Sequence, residues 1–166
     1  LAIDTPFEDD LKILETDLIG TIALTKAMLP HLLERKGQIV VISSVMGKIN
    51  TKYRSSYAAA KHGVVGFFES LRLEVEDLGL NVCHILPGFI ATNIAKNAVG
   101  ITEAVLKNSR NALGMQAAVF AQKALKAIHQ RRKNVYIGGA KEQLAMLLKR
   151  LMPGLFDRFI KNQKVT

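Results

Sequence analysis

The spacing of apolar residues predicts that the chain opens with one long helix followed by a buried strand. Leucine and isoleucine recur every three or four positions between Leu11 and Leu33, which is the pattern of a helix over about residues 7–36. Pro30 is expected to kink this helix or to trim its last turn. The segment Gln38–Ser44 that follows is largely β-branched, as in a strand buried on both faces of a parallel sheet.

Helices and strands continue to alternate along the rest of the chain. The remaining predicted elements are a helix over about residues 55–78, a strand over 81–86, a helix over about 115–131 and a strand over 134–137. Helices that alternate with strands predict an α/β fold, here a Rossmann-type doubly wound parallel sheet.

The predicted sheet lacks its beginning. Three strands leave an open edge, and the sequence begins with Leu1 rather than methionine. We therefore expect the N-terminal half of the domain to lie upstream of this sequence. On this interpretation residues 1–140 are the C-terminal part of a Rossmann-fold domain, and residues 141–166 are a basic amphipathic tail of the same domain.

Composition and charge exclude several classes of protein. With 49% apolar and 22% charged residues the chain is not expected to be disordered. The single cysteine, Cys83, excludes an internal disulfide and a multi-cysteine zinc site, and we expect no metal. The 23 basic and 14 acidic residues give a net charge of +9, which suits an anionic cofactor, a membrane surface or nucleic acid. We expect no nucleic acid, because the basic cluster Arg131-Arg132-Lys133 has no interleaved aromatic residues for base stacking.

Tyr57 and Lys61 are the first candidates for chemistry. They lie four residues apart and therefore on one face of the second predicted helix. A free phenol, with a pKa of about 10, is a poor base at neutral pH. A cation within a few ångströms favours the phenolate and makes proton transfer feasible. Taken alone, the pair is also compatible with a tyrosine and a lysine on an ordinary helix surface.

Polar and apolar residues follow two of the predicted strands at their carboxyl ends, where parallel sheets bind ligands. Ser44 ends the first strand and could donate a hydrogen bond to a substrate carbonyl, although a strand-end turn former is the simpler interpretation. The segment Pro87-Gly88-Phe89-Ile90-Ala91-Thr92 follows the second strand. It could support a flat ring and offer one hydroxyl, or it could be an ordinary turn.

Three segments together resemble the short-chain dehydrogenase/reductase family, in its order and at its spacing. They are Ile42-Ser43-Ser44-Val45-Met46-Gly47, Tyr57-Ala58-Ala59-Ala60-Lys61 and Pro87-Gly88-Phe89-Ile90-Ala91-Thr92. The resemblance covers nearly the whole chain. The stretch from Lys61 to Arg72 is most similar to the branch that contains the 11β-hydroxysteroid dehydrogenases and the dehydrogenase/reductase member 7 type proteins.

The resemblance implies an NAD(P)-dependent oxidoreductase that interconverts an alcohol and a carbonyl. Tyr57 would be the general acid or base, Lys61 would assist it and bind the nicotinamide ribose, and Ser44 would orient the substrate carbonyl. The cofactor would contact Tyr57 and Lys61 and, in the loop after the second strand, Pro87, Gly88, the backbone of Ile90 and the hydroxyl of Thr92. Substrate would contact Ser44, Val45, Met46, Phe89 and Ile94, and the apolar members of this set suggest a lipophilic molecule. NADP or NAD would be the cofactor, and the resemblance to this branch favours NADP.

Two departures from the family pattern affect this expectation. Asp17 stands in the first helix where the family often has an asparagine, and a carboxylate would stabilise the Lys61 ammonium and counteract its effect on Tyr57. We therefore predict a catalytic role for Asp17 with altered proton handling. The glycine-rich turn that binds the cofactor pyrophosphate is not in the sequence, since Gly63 and Gly66 fall in mid-helix. An alternative function is thus a catalytically idle binding or scaffold protein of the same fold that could associate with lipid.

The basic amphipathic tail has two interpretations. It could pack on its own domain or on a partner subunit, or it could contact anionic lipid through its mixture of leucine, phenylalanine, lysine and arginine. Family precedent predicts a homodimer or homotetramer, with the helices at about 7–36 and 55–78 as candidate interfaces. We expect a cytoplasmic protein that is able to associate with a membrane surface.

Overall fold

The computed structural model describes residues 1–92 and 114–162. The first helical region comprises α1 (Phe7–Leu14), a π-helical turn (Glu15–Ile19) and α2 (Gly20–Glu34). Then follow strand β1 (Gln38–Ile42), a short 3₁₀ turn (Val45–Gly47), helix α3 (Ser55–Val75) and strand β2 (Asn81–Pro87). The remaining elements are β3 (Ile90–Ala91), β4 (Met115–Gln116), α4 (Ala117–His129), β5 (Asn134–Ile137), α5 (Ala140–Leu151) and α6 (Pro153–Lys161).

The main sheet has three parallel strands in the order β1-β2-β5. Val41 lies opposite His84 in the first pair, and Ile85 lies opposite Val135 in the second. Strand β1 pairs with β2 along one edge, and no strand of the described residues pairs along its other edge. A separate parallel pair joins β3 to β4, two residues each.

Apolar side chains cover both faces of the sheet, which explains why its strands read as continuous apolar runs. On one face α3 packs on the sheet through Phe68, which is buried together with Val41 and Val82. On the other face Ala124 of α4 packs on Cys83 and its neighbours. The result is a helix–sheet–helix arrangement, and it confirms the predicted α/β class with a parallel Rossmann-type sheet.

A third apolar cluster joins the C-terminal helices to the turn after β1. Phe156 of α6 is fully buried and contacts the cluster that contains Val45 and Ile49. The amphipathic tail is thus two helices whose inner side packs on the segment that follows β1. No helix among the described residues is both long and apolar enough to cross a bilayer.

The structure adds two details to the first helix. The backbone adopts a π-helical turn at Glu15–Ile19, and α2 contains Pro30 and ends at Glu34, two residues before the predicted end. Lys36, two residues after α2, has a positive φ of 48°. A spacing of four residues fits both an α-helical and a single π-helical turn, so the sequence pattern could not show it.

Candidate active site

Helix α3 brings Tyr57 and Lys61 together on one side, one turn apart. The Lys61 Nζ lies 5.3 Å from the centroid of the Tyr57 ring. Arg54, at the N-terminal end of the helix, places its guanidinium carbon 6.0 Å from the same centroid. Sequence reasoning did not include Arg54, although its position three residues before Tyr57 could have indicated it. Two cations therefore flank the phenol that would exchange a proton.

Asp17 lies against this pair, as its predicted role requires. Its Oδ1 accepts a hydrogen bond from Lys61 Nζ at 3.1 Å, and the two side chains are 30% and 13% exposed. The π-helical turn holds Asp17 in this position, and Leu18 beside it contacts α3 at Gly63. The carboxylate thus neutralises much of the charge that Lys61 brings to the site. The proposed effect of Asp17 on proton transfer stays a prediction.

Ser44 lies in the turn between β1 and α3, where its side chain caps the 3₁₀ turn. Its Oγ accepts a hydrogen bond from the backbone N–H of Met46 at 3.1 Å. The turn packs tightly on α3, because a Cβ at Gly47 would lie 2.6 Å from a methyl of Val65 and 2.8 Å from the carbonyl oxygen of Lys61. Only glycine permits this approach, so Gly47 is a positioning residue that sequence reasoning did not identify.

The predicted substrate contacts occupy different environments. Val45 is buried against the Phe156 cluster, so its side chain contributes to packing. Met46 is half-buried, and Phe89 is 47% exposed, which leaves its ring accessible to a ligand. Ile94 lies outside the described residues.

The loop after β2 is fixed by contacts with the start of α5. A Cβ at Gly88 would lie 3.0 Å from the Cα of Gly138, and the Phe89 N–H donates to Glu142 Oε1 at 3.4 Å. Pro87 is the last residue of β2. Ile90 pairs with Met115 in the small second sheet, and Thr92 follows the end of β3. Glu142 was another residue that sequence reasoning missed, since nothing in its local pattern indicates a contact with a loop 53 residues away.

A cavity of about 290 Å³ adjoins the Asp17–Lys61 pair. It lies along β1 and α2, and Leu24, Met28 and Ile42 contribute to its apolar wall. The Lys61 ammonium and the Asp17 carboxylate therefore stand at the border of an apolar space beside the free edge of β1.

The described residues fit one end of a dinucleotide and not the other. Tyr57, Lys61 and the loop from Pro87 offer a cation, a phenol and a backbone surface, which suit a nicotinamide ribose and its ring. Gly138 and Gly139 do form a strand-to-helix turn before α5. A Cβ at Gly139 would lie 2.6 Å from the Glu142 carboxylate, whose charge would repel a pyrophosphate. No cluster of side chains suited to a metal occurs in the part of the chain that the structure describes.

The parallel sheet between helices and the residues at its carboxyl edge are those of a Rossmann-type dehydrogenase. A family profile described as "short chain dehydrogenase" matches residues 4–100. The chain belongs to this family of NAD(P)-dependent oxidoreductases, and the predicted resemblance is confirmed.

Relatives of the member 7 type support the finer resemblance as well. The chain is 40% identical to dehydrogenase/reductase SDR family member 7B of Mus musculus over 161 residues, which are 95% of this chain and 50% of the relative. It is 32% identical to member 7C of Xenopus tropicalis over 153 residues, which are 90% of this chain and 49% of the relative. The chain therefore spans about half the length of the curated relatives it matches.

Solved structures confirm the fold. A short-chain dehydrogenase from Burkholderia cenocepacia J2315, solved in complex with NADP, superposes with a TM-score of 0.73 at 20% identity, covering 90% of this chain and 58% of that one. A second, from Streptomyces avermitilis, gives a TM-score of 0.70 at 22% identity, covering 94% and 62% respectively.

Proposed function

We propose that the protein interconverts an alcohol and a carbonyl on a lipophilic small molecule, with NADP or NAD as the hydride carrier. The observation that supports this most directly is the arrangement of Asp17, Lys61 and Tyr57, in which the ammonium donates a hydrogen bond to the carboxylate and lies 5.3 Å from the centroid of the phenol ring. A surface tyrosine and lysine would not need a partly buried acidic partner from another helical segment. The NADP complex of the Burkholderia cenocepacia relative is consistent with NADP here.

Tyr57 is the proton donor and acceptor in this proposal. The bound dinucleotide supplies or accepts the hydride. During reduction the Tyr57 hydroxyl gives its proton to the carbonyl oxygen as the carbonyl carbon gains the hydride, so that an alcohol forms. In the opposite direction the phenolate takes the hydroxyl proton of the alcohol. Lys61 stabilises the phenolate electrostatically at both stages.

Ser44 orients the carbonyl oxygen toward that proton. A hydroxyl that accepts a hydrogen bond still has its own hydrogen to donate. Because the Met46 N–H already donates to Ser44 Oγ, the hydroxyl is held in place while its hydrogen remains available for the substrate. The tight contact between Gly47 and α3 keeps this turn at a fixed distance from the helix that carries Tyr57.

The substrate is proposed to be lipophilic because the accessible side chains near these polar groups are apolar. Phe89 is accessible, and Met46 beside Ser44 is half-buried. Such surroundings favour an apolar body with a single polar end.

Replacement of Tyr57 by phenylalanine tests the proposed chemistry. In the natural full-length protein, Tyr57→Phe is expected to lower kcat at least about 100-fold, because general acid–base catalysis contributes roughly that much. Tyr53→Phe is the matched control, since Tyr53 is exposed and lies on the loop before α3. Dinucleotide binding, followed by nicotinamide fluorescence, is expected to persist in both variants.

Two results would contradict the proposal in different ways. Native turnover in Tyr57→Phe would show that the phenol is not the proton donor. A wild-type protein that binds dinucleotide but turns over no alcohol or carbonyl would favour the idle scaffold instead.

Asp17→Asn tests the positioning role of the carboxylate. Removal of a negative charge near Lys61 and Tyr57 favours the phenolate, so the acidic limb of the pH–rate profile for alcohol oxidation is expected to move to lower pH. Glu15→Gln, in the same π-helical turn but exposed, is the control and is expected to leave the profile unchanged. An identical profile for Asp17→Asn and wild type would refute this role.

A further inference from the structure

Helices α5 and α6 form a pair whose inner side packs against the rest of the protein. Phe156 is 0% exposed and packs with Val45 and Ile49. Leu148 and Ile160, from the same side of the two helices, pack against this cluster. The opposite side of the pair is therefore not required for the internal core.

That opposite side carries six large apolar residues, which we call the outer apolar face. Each is between 47% and 67% exposed. The face consists of Leu144, Leu147, Leu151, Met152, Leu155 and Phe159. The spacings of three and four residues place the leucines of α5 on one stripe, and the same holds for Leu155 and Phe159 on α6. An exposed apolar patch of this kind marks an interaction surface.

The charged residues around the outer apolar face are mainly cationic. Lys141, Arg150, Arg158 and Lys161 are exposed, and Asp157 is the exposed acid on the two helices. The four cations form no ion pair with any residue that the structure describes. The other two charged side chains on these helices, Glu142 and Lys149, turn inward, toward Phe89 and Asn50 respectively.

We propose that the outer apolar face docks on an anionic lipid surface. Leucine and phenylalanine side chains would enter the acyl boundary while the arginines and lysines remain among negatively charged headgroups. A second copy of the chain fits this face less well, since a two-fold contact would bring eight cations and only two acids to one interface.

The test measures vesicle binding by the natural full-length protein. Flotation is performed with phosphatidylcholine vesicles and with phosphatidylcholine–phosphatidylserine vesicles, at low and at high salt. We expect binding to the anionic vesicles at low salt, weaker binding at high salt and little binding to the neutral vesicles. Arg150→Gln with Arg158→Gln is expected to weaken the partition about five-fold for each charge removed. Leu147→Ser with Leu151→Ser is expected to abolish it.

Leu125→Ser with Lys126→Gln is the matched control, because both residues are exposed on another helix, α4. This variant is expected to bind like wild type, and thermal unfolding shows that every variant is folded. Sedimentation velocity without lipid measures the self-association of wild type and of the variants. Three results would each overturn the proposal. They are equal binding to neutral and anionic vesicles, unchanged binding of the α5 double variant, and self-association that Leu147→Ser with Leu151→Ser disrupts. Because none of these measurements uses turnover, failure of docking is distinguishable from failure of the proposed enzyme activity.

Discussion

His84 makes the stability of the fold sensitive to acid. It lies in the central strand β2 opposite Val41, and it is 1% exposed. Burial lowers the pKa of its imidazole from 6.5 to about 4. Glu69 opposes this shift, whereas Lys48 and Arg72 add to it. Within the described residues its Nε2 has no hydrogen-bond partner. Protonation of the ring would therefore form no hydrogen bond that offsets the cost of a buried charge.

The sign and size of the effect follow from the two pKa values. Between pH 6.5 and about 4 the unfolded chain binds a proton at this histidine and the folded chain does not. The free energy of unfolding therefore falls as the pH falls through this interval, and the contribution of His84 levels off below pH 4. The difference between pKa values of 6.5 and about 4, at 1.36 kcal/mol per pKa unit, predicts that the free energy of unfolding loses about 3 kcal/mol from this group.

Urea unfolding between neutral pH and pH 4, for wild type and His84→Leu, measures this contribution. Other groups also titrate in this interval, so the informative quantity is the difference between the two proteins in their pH dependence. We expect His84→Leu to lose about 3 kcal/mol less than wild type on acidification. His129→Gln, which removes an exposed histidine, is expected to behave like wild type. Parallel pH profiles for wild type and His84→Leu would refute the reasoning.

Two further predictions concern packing. Gly47→Ala is expected to lower the free energy of unfolding by about 1–3 kcal/mol in urea titrations, because its Cβ would overlap Val65 and the α3 backbone. Gly66→Ala, a glycine with open space within 4 Å, is expected to raise it by up to about 1 kcal/mol, and equal effects would contradict the close approach. Phe156→Ala is expected to cost about 3–5 kcal/mol by thermal or urea unfolding, because the ring is fully buried. Leu155→Ala, next to it on the outer side, is expected to cost much less, and a similar loss at both positions would disprove the assignment of the two faces.

The order and type of the main elements could be predicted because each has a strong periodic signal. The strand Asn134–Ile137 was predicted with the observed bounds, and α3 begins at Ser55 as expected. Its regular part ends at Val75, and Gly79, with a φ of 88°, completes the turn that leads to β2. A positive φ favours glycine, so a glycine after an apolar helical run predicts the end of the helix from the sequence.

Features that depend on distant contacts could not be predicted from spacing alone. The β3–β4 pair is two residues long on each side, which is too short for any alternating pattern. Apolar spacing showed that the tail is amphipathic but could not show that Phe156 would pack against Val45. At the candidate site, the distance between Asp17 and Lys61 depends on how the π-helical turn sits on α3, and that packing is determined by tertiary structure.

The unpaired side of β1 has a consequence for handling a fragment limited to these residues. Its outward backbone amides and carbonyls offer a ready template on which an extended peptide from another molecule can assemble. Ile42 is 51% exposed there, so such an addition would also remove apolar surface from water. A fragment limited to these residues is therefore expected to form ribbons at high concentration, and a short β-branched peptide that occupies the position would keep it dispersed.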